Sequence, residues 1–409
     1  MKRTILVAVG MAACAGAAGA APTNAPTVLT TRGGAQEIGE SLRREAGAAA
    51  DRAVAWLLAQ QNAGGHWSNE QFPALTALPL WALARAGRAD TPAARKAVDY
   101  LLSCAHENGA IYREPKEKLK GGGMPNYNTA IARVALHLSG DPRATPVVLK
   151  ARRYVARSQH LGGDVYHGGM GYDADTGRPY ADLSNSYIAF EAMRATQSAE
   201  DMRKDGGAKA DLDWKAAEKF VQRTQNDARF NTAAWASDDP ADRGGFVYHP
   251  EQTRSGTTTN AAGIVKFRSM KGMTYAGLLS YIYAEVDRTD PRVEATINWA
   301  VSHWGLGSNN RVSGGAESHD TKDEKEGLYY LLNVMAKGLA AYGQDVFHPA
   351  GREPFNWRMQ MVETLLSLQK TDPGTGQGFW VNEVGRYWES DPVLVTSYAL
   401  IALQMAAGR

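Results

Sequence analysis

The chain repeats one unit six times, a helix ending in a polar turn followed by a helix of small and apolar residues. The first helices of the pairs are predicted over 53–67, 97–112, 151–166, 216–230, 296–310 and 362–380. The second helices are predicted over 74–87, 126–140, 182–195, 273–287, 327–343 and 392–408. Such internal self-similarity indicates a repeat array, which one domain can build at this length.

The two helices of each pair differ in where their polar residues lie. The first helices are amphipathic, with Arg, Lys and Glu on one face, whereas the second are apolar around most of their circumference. An amphipathic helix faces solvent on one side, and a helix that is apolar all round is buried. The pattern therefore predicts an all-α protein, an (α/α)6 toroid with six inner and six outer helices, over residues 45–409.

The links between the helices also differ. Links from an inner to an outer helix are often short, whereas several in the other direction are long and rich in glycine, namely 160–181, 226–272, 304–326 and 370–391. In a closed array the long loops gather at the end where the inner helices begin, and the positive ends of the helix dipoles point there. We expect the functional site at that end. The two longest loops, 226–272 and 304–326, are either lids or disordered.

The first residues indicate export. Residues 1–20 combine a basic start, a short apolar run and an Ala-x-Ala cleavage site, as a signal peptide does. The apolar run is too short for a transmembrane span. Residues 21–44, rich in Ala, Thr and Pro, are predicted to be a flexible tether. We expect a periplasmic or secreted protein, and Cys14 leaves open the alternative of a lipid anchor.

Composition excludes several classes of function. The net charge is +2, with basic and acidic residues interspersed, so the sequence offers no nucleic-acid interface. No spacing of His, Cys, Asp and Glu matches a metal site, and no glycine-rich pattern matches a nucleotide cradle. We therefore expect neither a metal nor a cofactor.

The polar turns carry a resemblance to a known superfamily. The first turn contains Gln61, Gly65 and Trp67, and degenerate copies of this pattern follow at Gln159–Gly163, Gln225 and Gln369–Trp380. These turns resemble the QW repeats of squalene-hopene cyclases, in the terpenoid cyclase and protein prenyltransferase superfamily. The resemblance covers residues 45–407. It implies an α/α toroid with a central cavity for an apolar or isoprenoid-like ligand.

The catalytic motif of those cyclases is incomplete here. They protonate their substrate with the middle Asp of a D-x-D-D motif at the start of an inner helix, and this motif falls on residues 182–185. Asp182 is retained, but Ser184 takes the place of the proton donor and Asn185 that of the last Asp. A serine hydroxyl cannot act as a strong acid. Asp182 is thus a candidate acid or merely a helix cap, and Asp173 and Asp175 are further candidate catalytic carboxylates.

The zinc site of protein prenyltransferases is also missing. The resemblance would require an Asp, a Cys and a His on inner helices, but Cys104 belongs to an outer helix.

Aromatic residues on the predicted inner helices are candidate ligand contacts. In the cyclases such rings line the cavity and stabilise carbocations. Because this chain has 17 Tyr and 9 Phe, we expect a more polar cavity than a hydrocarbon cyclase requires. The predicted ligand-binding residues are Ser184, Asn185, Tyr127, Tyr187, Tyr275, Tyr329, Tyr330, Trp380 and Tyr398.

Three functions remain open from the sequence. The first is an exported toroid that binds, or transforms by an unrecognised route, an apolar small molecule or isoprenoid-like lipid. The second is a non-enzymatic scaffold that holds a protein partner at the cell envelope. The third is a carbohydrate-active (α/α)6 enzyme, which requires two facing carboxylates. A deep tyrosine-lined cavity favours the first, a filled ring centre the second, and an open polar groove the third.

Overall fold

The computed structural model describes residues 38–115, 123–173, 179–307 and 325–408. The predicted signal peptide, the first part of the tether, Cys14 and Asp175 lie outside these residues. Of the two longest predicted loops, 226–272 is described throughout and 304–326 only in part.

The described residues form thirteen α-helices and three two-stranded antiparallel sheets. The helices are α1 (Glu40–Ala59), α2 (Ala74–Arg85), α3 (Pro92–Ser103), α4 (Pro125–Leu138), α5 (Thr145–Arg157), α6 (Leu183–Ala195), α7 (Gln197–Asp201), α8 (Trp214–Gln222), α9 (Lys271–Tyr283), α10 (Pro291–Ser302), α11 (Leu328–Tyr342), α12 (Trp357–Leu368) and α13 (Pro392–Ala406). The strands pair as β1 (Thr257–Thr259) with β2 (Val265–Phe267), β3 (Val346–Phe347) with β4 (Phe355–Asn356), and β5 (Lys370–Thr371) with β6 (Gly378–Phe379). The helices build the body, and the strands are confined to the connections.

Six of these helices form a closed inner ring. Each of α2, α4, α6, α9, α11 and α13 packs against the next, and α13 packs against α2. The outer helices pack around them: α1 and α12 on α13, α3 on α2 and α4, α5 on α4, and α8 and α10 on α9. The chain is therefore an (α/α)6 toroid, and the predicted fold is confirmed.

The distribution of polarity explains the two rings. Along α13 every residue is buried except Pro392 and Met405, so this helix has no face for solvent. The outer helix α8 buries Phe220 and Val221 on one face and exposes Lys215 and Lys219 on the other. Burial of apolar area thus places the second helix of each pair in the inner ring and the first helix in the outer ring.

At four of the turns a glutamine connects one outer helix to the next. Its side-chain amide donates to a backbone carbonyl of the following outer helix or of that helix's N-cap, in the pairs Gln61–Ala93 (2.8 Å), Gln159–Asp213 (3.1 Å), Gln225–Arg292 (2.9 Å) and Gln369–Ala49 (2.9 Å). The last pair joins α12 to α1 and so closes the outer ring. The motif that carried the resemblance is therefore structural.

The tryptophans of these turns are structural as well. Trp67 and Trp380 are fully buried, and their ring N–H groups donate to the carbonyls of Leu57 (2.7 Å) and Leu365 (2.8 Å). Both carbonyls belong to the outer helix that precedes the turn. A buried indole N–H requires such a partner. Trp380, predicted as a ligand contact, instead holds its own turn against α12.

The first helix starts earlier than expected. It begins at Glu40, so residues 40–44, predicted to be part of the tether, are helical. Glu40 lies in the first turn, where a carboxylate is stabilised by the helix dipole. In the described part of the chain, no helix has both the length and the apolar character needed to cross a membrane.

Candidate functional site

A cavity of about 310 Å³ opens at the end of the toroid where the inner helices begin. All six inner helices contribute to its wall from their first two turns; one wall residue from each is Leu78, Tyr127, Ser184, Met273, Tyr330 and Tyr398. Loops supply further wall residues, including Phe72, Tyr172, Tyr248, Arg254, Tyr387 and Trp388. Ligand pockets in proteins span about 300–1,000 Å³, so this cavity can hold a small ligand.

Most of the wall is apolar. Its aliphatic and thioether side chains are Leu75, Leu78, Leu394, Met124, Met270 and Met273. The polar wall residue Asn128 is already engaged, because it donates to the carbonyl of Gly123 and accepts from the N–H of Ala74, both at 2.8 Å. Among the described residues, neither an Asp nor a Glu lines the wall. Few groups in the wall can therefore bind a polar ligand.

Neutral hydroxyl groups supply much of the remaining polarity. The hydroxyls of Tyr127 and Tyr398 lie 3.4 Å apart, and those of Ser184 and Tyr330 lie 3.3 Å apart. Burial raises the pKa of Tyr127, Tyr330 and Tyr398, so these phenols stay protonated at neutral pH. The wall thus offers hydrogen bonds here without charge.

Asp182 is not a wall residue. It is fully buried and caps α6: its Oδ1 accepts the backbone N–H of Asn185, and its Oδ2 accepts the Asn185 side-chain amide, both at 2.8 Å. Burial raises the pKa of Asp182, although hydrogen bonds from Asn185, Tyr180 and Tyr248 favour its ionised form. The half-buried Ser184, in the place of the cyclase proton donor, lines the cavity instead.

The remaining predicted site residues lie elsewhere. Asn185 turns its amide to Asp182, and Asp173 follows the wall residue Tyr172 without itself lining the cavity. Asp175, the third predicted carboxylate, is outside the described residues. The predicted acids therefore do not line the cavity in the part of the chain that the structure describes.

Three of the predicted tyrosines pack between helices. Tyr187 lies edge-on to Tyr330, with ring centroids 6.3 Å apart, one turn beyond Ser184 along α6. Tyr275 packs beside Gly338 of α11, and Tyr329 is buried beside the carboxylate of Glu389. A helix that is apolar all round buries several faces, and only one of them reaches the cavity.

Loops supply wall residues that no pattern in the sequence indicates. Tyr248 and Arg254 belong to the loop between α8 and α9, which is thus part of the wall. Phe72 and Trp388 meet edge-on at a centroid distance of 4.8 Å. Loops have no periodicity that could indicate these positions. Among these loop residues, Tyr172 is the one that the sequence could have indicated, because it lies in the glycine-rich run before α6.

The rim of the cavity contains a strained segment, Tyr387–Trp388. Their φ angles are 59° and 67°, a left-handed conformation that is unfavourable for residues with a side chain. Glu389 anchors the segment, because its carboxylate accepts the N–H of Tyr330 (2.8 Å) and the amide of Asn382 (2.6 Å). An ion pair between Arg386 and Glu326 (3.1 Å) adds a second connection to the start of α11.

Glu389 gives a testable pH dependence. Burial raises the pKa of Glu389 to about 7, whereas the pKa of glutamate in the unfolded chain is about 4.3. Between these values the folded state binds more protons, so the free energy of unfolding falls as the pH rises from about 4.5 to about 7. We expect this fall to be on the order of 3 kcal/mol smaller in Glu389→Gln.

Urea unfolding between pH 4 and 8 measures this difference. Glu383→Gln, at an exposed position, should keep the pH profile of the wild type. An unchanged pH profile in Glu389→Gln would contradict the assignment.

A buried ion pair lies about one helical turn further along α6 than Tyr187. Lys337 Nζ is 3.0 Å from Glu191 Oε2 and lies 4.2 Å from the ring centroid of Trp81. Glu191 is four residues after Tyr187 on α6, hence on the same face. Burial lowers the pKa of Lys337, and Glu191 counteracts that shift. This pair links α6 and α11 across the ring.

No group of three or more candidate metal ligands occurs among the described residues.

Comparisons with known proteins support the fold. The sequence matches neither a protein family nor a curated protein. A variant of the type II terpene cyclase MstE from Scytonema aligns with a TM-score of 0.51 at 14% identity, covering 90% of this chain and 99% of that chain. MstE with its substrate geranylgeranyl dihydroxybenzoate aligns with a TM-score of 0.47 at 12% identity, covering 90% and 99%. Cellobiose 2-epimerase from Spirochaeta thermophila aligns with a TM-score of 0.48 at 16% identity, covering 90% and 97%. At 14% identity the likeness to the MstE variant with a TM-score of 0.51 shows a shared toroid fold and not a shared reaction.

Proposed function

We propose that this chain binds an apolar, isoprenoid-like small molecule in the axial cavity, and that it does so outside the cytoplasm after export. The observation that carries the proposal is the cavity itself, which all six inner helices line mainly with apolar side chains. Burial of apolar ligand area against such a wall contributes about 25 cal/mol per Å². The few hydroxyl groups orient the ligand without an excessive desolvation cost.

The residues support binding over cyclisation of the squalene-hopene type. That reaction needs a strong acid in contact with the substrate, and Ser184 takes that place in the wall. Asp182 has both oxygens engaged by Asn185 and has no surface in the cavity. A proton donor of the cyclase kind is therefore missing from the described wall.

The two other candidate functions have less support. A carbohydrate-active enzyme would need two facing carboxylates, and the described wall contains neither Asp nor Glu. A scaffold that only binds a protein partner does not require a ligand-sized cavity on its axis. Binding of a protein partner at the cell envelope is nevertheless compatible with ligand binding.

A titration of the full chain with farnesol, a neutral isoprenoid alcohol, tests the proposal. Trp388 lines the cavity and is 46% exposed, so its fluorescence should change when a ligand enters. We expect saturable binding at one site with a micromolar dissociation constant, which corresponds to about 8 kcal/mol. A linear, non-saturating response, with no heat of binding in calorimetry, would overturn the proposal.

A further inference from the structure

Arg254 places a positive charge at the mouth of the cavity. Its guanidinium carbon lies 4.4 Å from the ring centroid of Tyr248, and its Nη1 lies 3.4 Å from the hydroxyl of Tyr387. Both tyrosines are wall residues too. Stacking on a ring orients a guanidinium but does not neutralise it. In the part of the chain that the structure describes, Arg254 forms no ion pair with a carboxylate.

The carboxylates near the mouth are committed to other groups. Glu326 pairs with Arg386 at 3.1 Å, and Glu389 accepts the N–H of Tyr330 and the amide of Asn382. The cavity wall itself adds neither Asp nor Glu among the described residues. The inner helices also begin at this end, so the positive ends of their dipoles reinforce the positive potential.

Ion pairs neutralise some other arginines of the fold. Arg292 lies 2.6 Å from Glu218, and Arg358 lies 2.6 Å from Asp345. Arg254 combines a cavity position, a stacked geometry and a charge that the described residues leave unpaired. A guanidinium in this state can bind a carboxylate or phosphate by donating two parallel hydrogen bonds.

We infer that the ligand is an amphiphile with an anionic headgroup, a carboxylate or a phosphate, which Arg254 binds at the mouth while the apolar chain lies against the leucine and methionine wall. This inference rests on the proposed function and specifies the chemistry of the ligand's polar end. The headgroup stays near solvent, so its desolvation cost is small, and the apolar chain supplies the rest of the affinity.

Three probes with one hydrocarbon chain test the inference: farnesol, farnesoate and farnesyl monophosphate. In the full chain we expect at least one anion to bind ten times more tightly than farnesol, and the tighter of the two identifies the headgroup. Arg254→Met should remove this preference, so that both anions bind to this variant no more tightly than farnesol binds to the same variant. The matched control is Arg288→Met, because Arg288 also stacks on a tyrosine, at 4.2 Å from the Tyr342 ring. The Arg288→Met variant should keep the preference for the anionic probes over farnesol.

The outcomes separate the two proposals. Equal affinities of the wild type for all three probes, or a preference that survives in Arg254→Met, would overturn the anionic headgroup and leave the apolar cavity standing. Failure of all three probes to bind would overturn both.

Discussion

Ser184→Phe is expected to weaken farnesol binding by about 100-fold or more, a loss of roughly 2.7 kcal/mol. Ser184 is half-buried in the cavity wall, with its hydroxyl 3.3 Å from that of Tyr330. Its neighbours Leu183 and Asn185 are buried in the packing of α6, so a phenyl ring at position 184 has room only inside the cavity. It would occupy the volume that the ligand needs.

Calorimetric titration with farnesol measures the effect. The matched control is Ser367→Phe, the same substitution on the exposed face of the outer helix α12, which should bind as the wild type does. Circular dichroism should show the same helix content in both variants. Wild-type affinity in a folded Ser184→Phe protein would mean that the ligand binds outside the cavity.

Lys337→Met is expected to lower the free energy of unfolding by about 3–5 kcal/mol. The substitution leaves the carboxylate of Glu191 buried without its partner at 3.0 Å, and it removes the ammonium from the ring of Trp81. Replacing both charges, in Lys337→Met with Glu191→Leu, should restore most of the loss, since a buried pair can be exchanged for apolar side chains of similar volume at little cost.

Urea unfolding of the single and double variants measures this coupling. The matched control is Lys370→Met, which removes an exposed pair with Glu383 at 3.7 Å and should cost less than about 1 kcal/mol. A loss in Lys337→Met no larger than that of the control would contradict a buried, coupled pair.

The fold was predictable because it depends on periodicity. The spacing of polar residues in the sequence distinguishes the amphipathic α8 from the almost entirely buried α13, and burial of apolar area then places such helices in an outer and an inner ring. The recurring glutamine was also visible, but its role was not. Only the structure reveals that Gln369 reaches Ala49 and joins the two ends of the outer ring.

The site was predictable only in part. Tyr127, Ser184, Tyr330 and Tyr398 line the cavity, since they lie near the starts of inner helices, and their contact with a ligand stays a prediction. On a helix without a polar face, however, the sequence cannot distinguish these from Tyr187 or Tyr275, which pack between helices. Wall residues from loops, such as Tyr248 and Arg254, depend on chain paths that no local pattern encodes.

A crystal structure of the full chain grown with farnesol tests the central claim most directly. We predict electron density for the isoprenoid chain inside the ring of inner helices, in contact with Leu78, Met273 and Leu394 and with its hydroxyl toward the mouth. An empty cavity at saturating farnesol, or density only on the outer surface, would contradict the account.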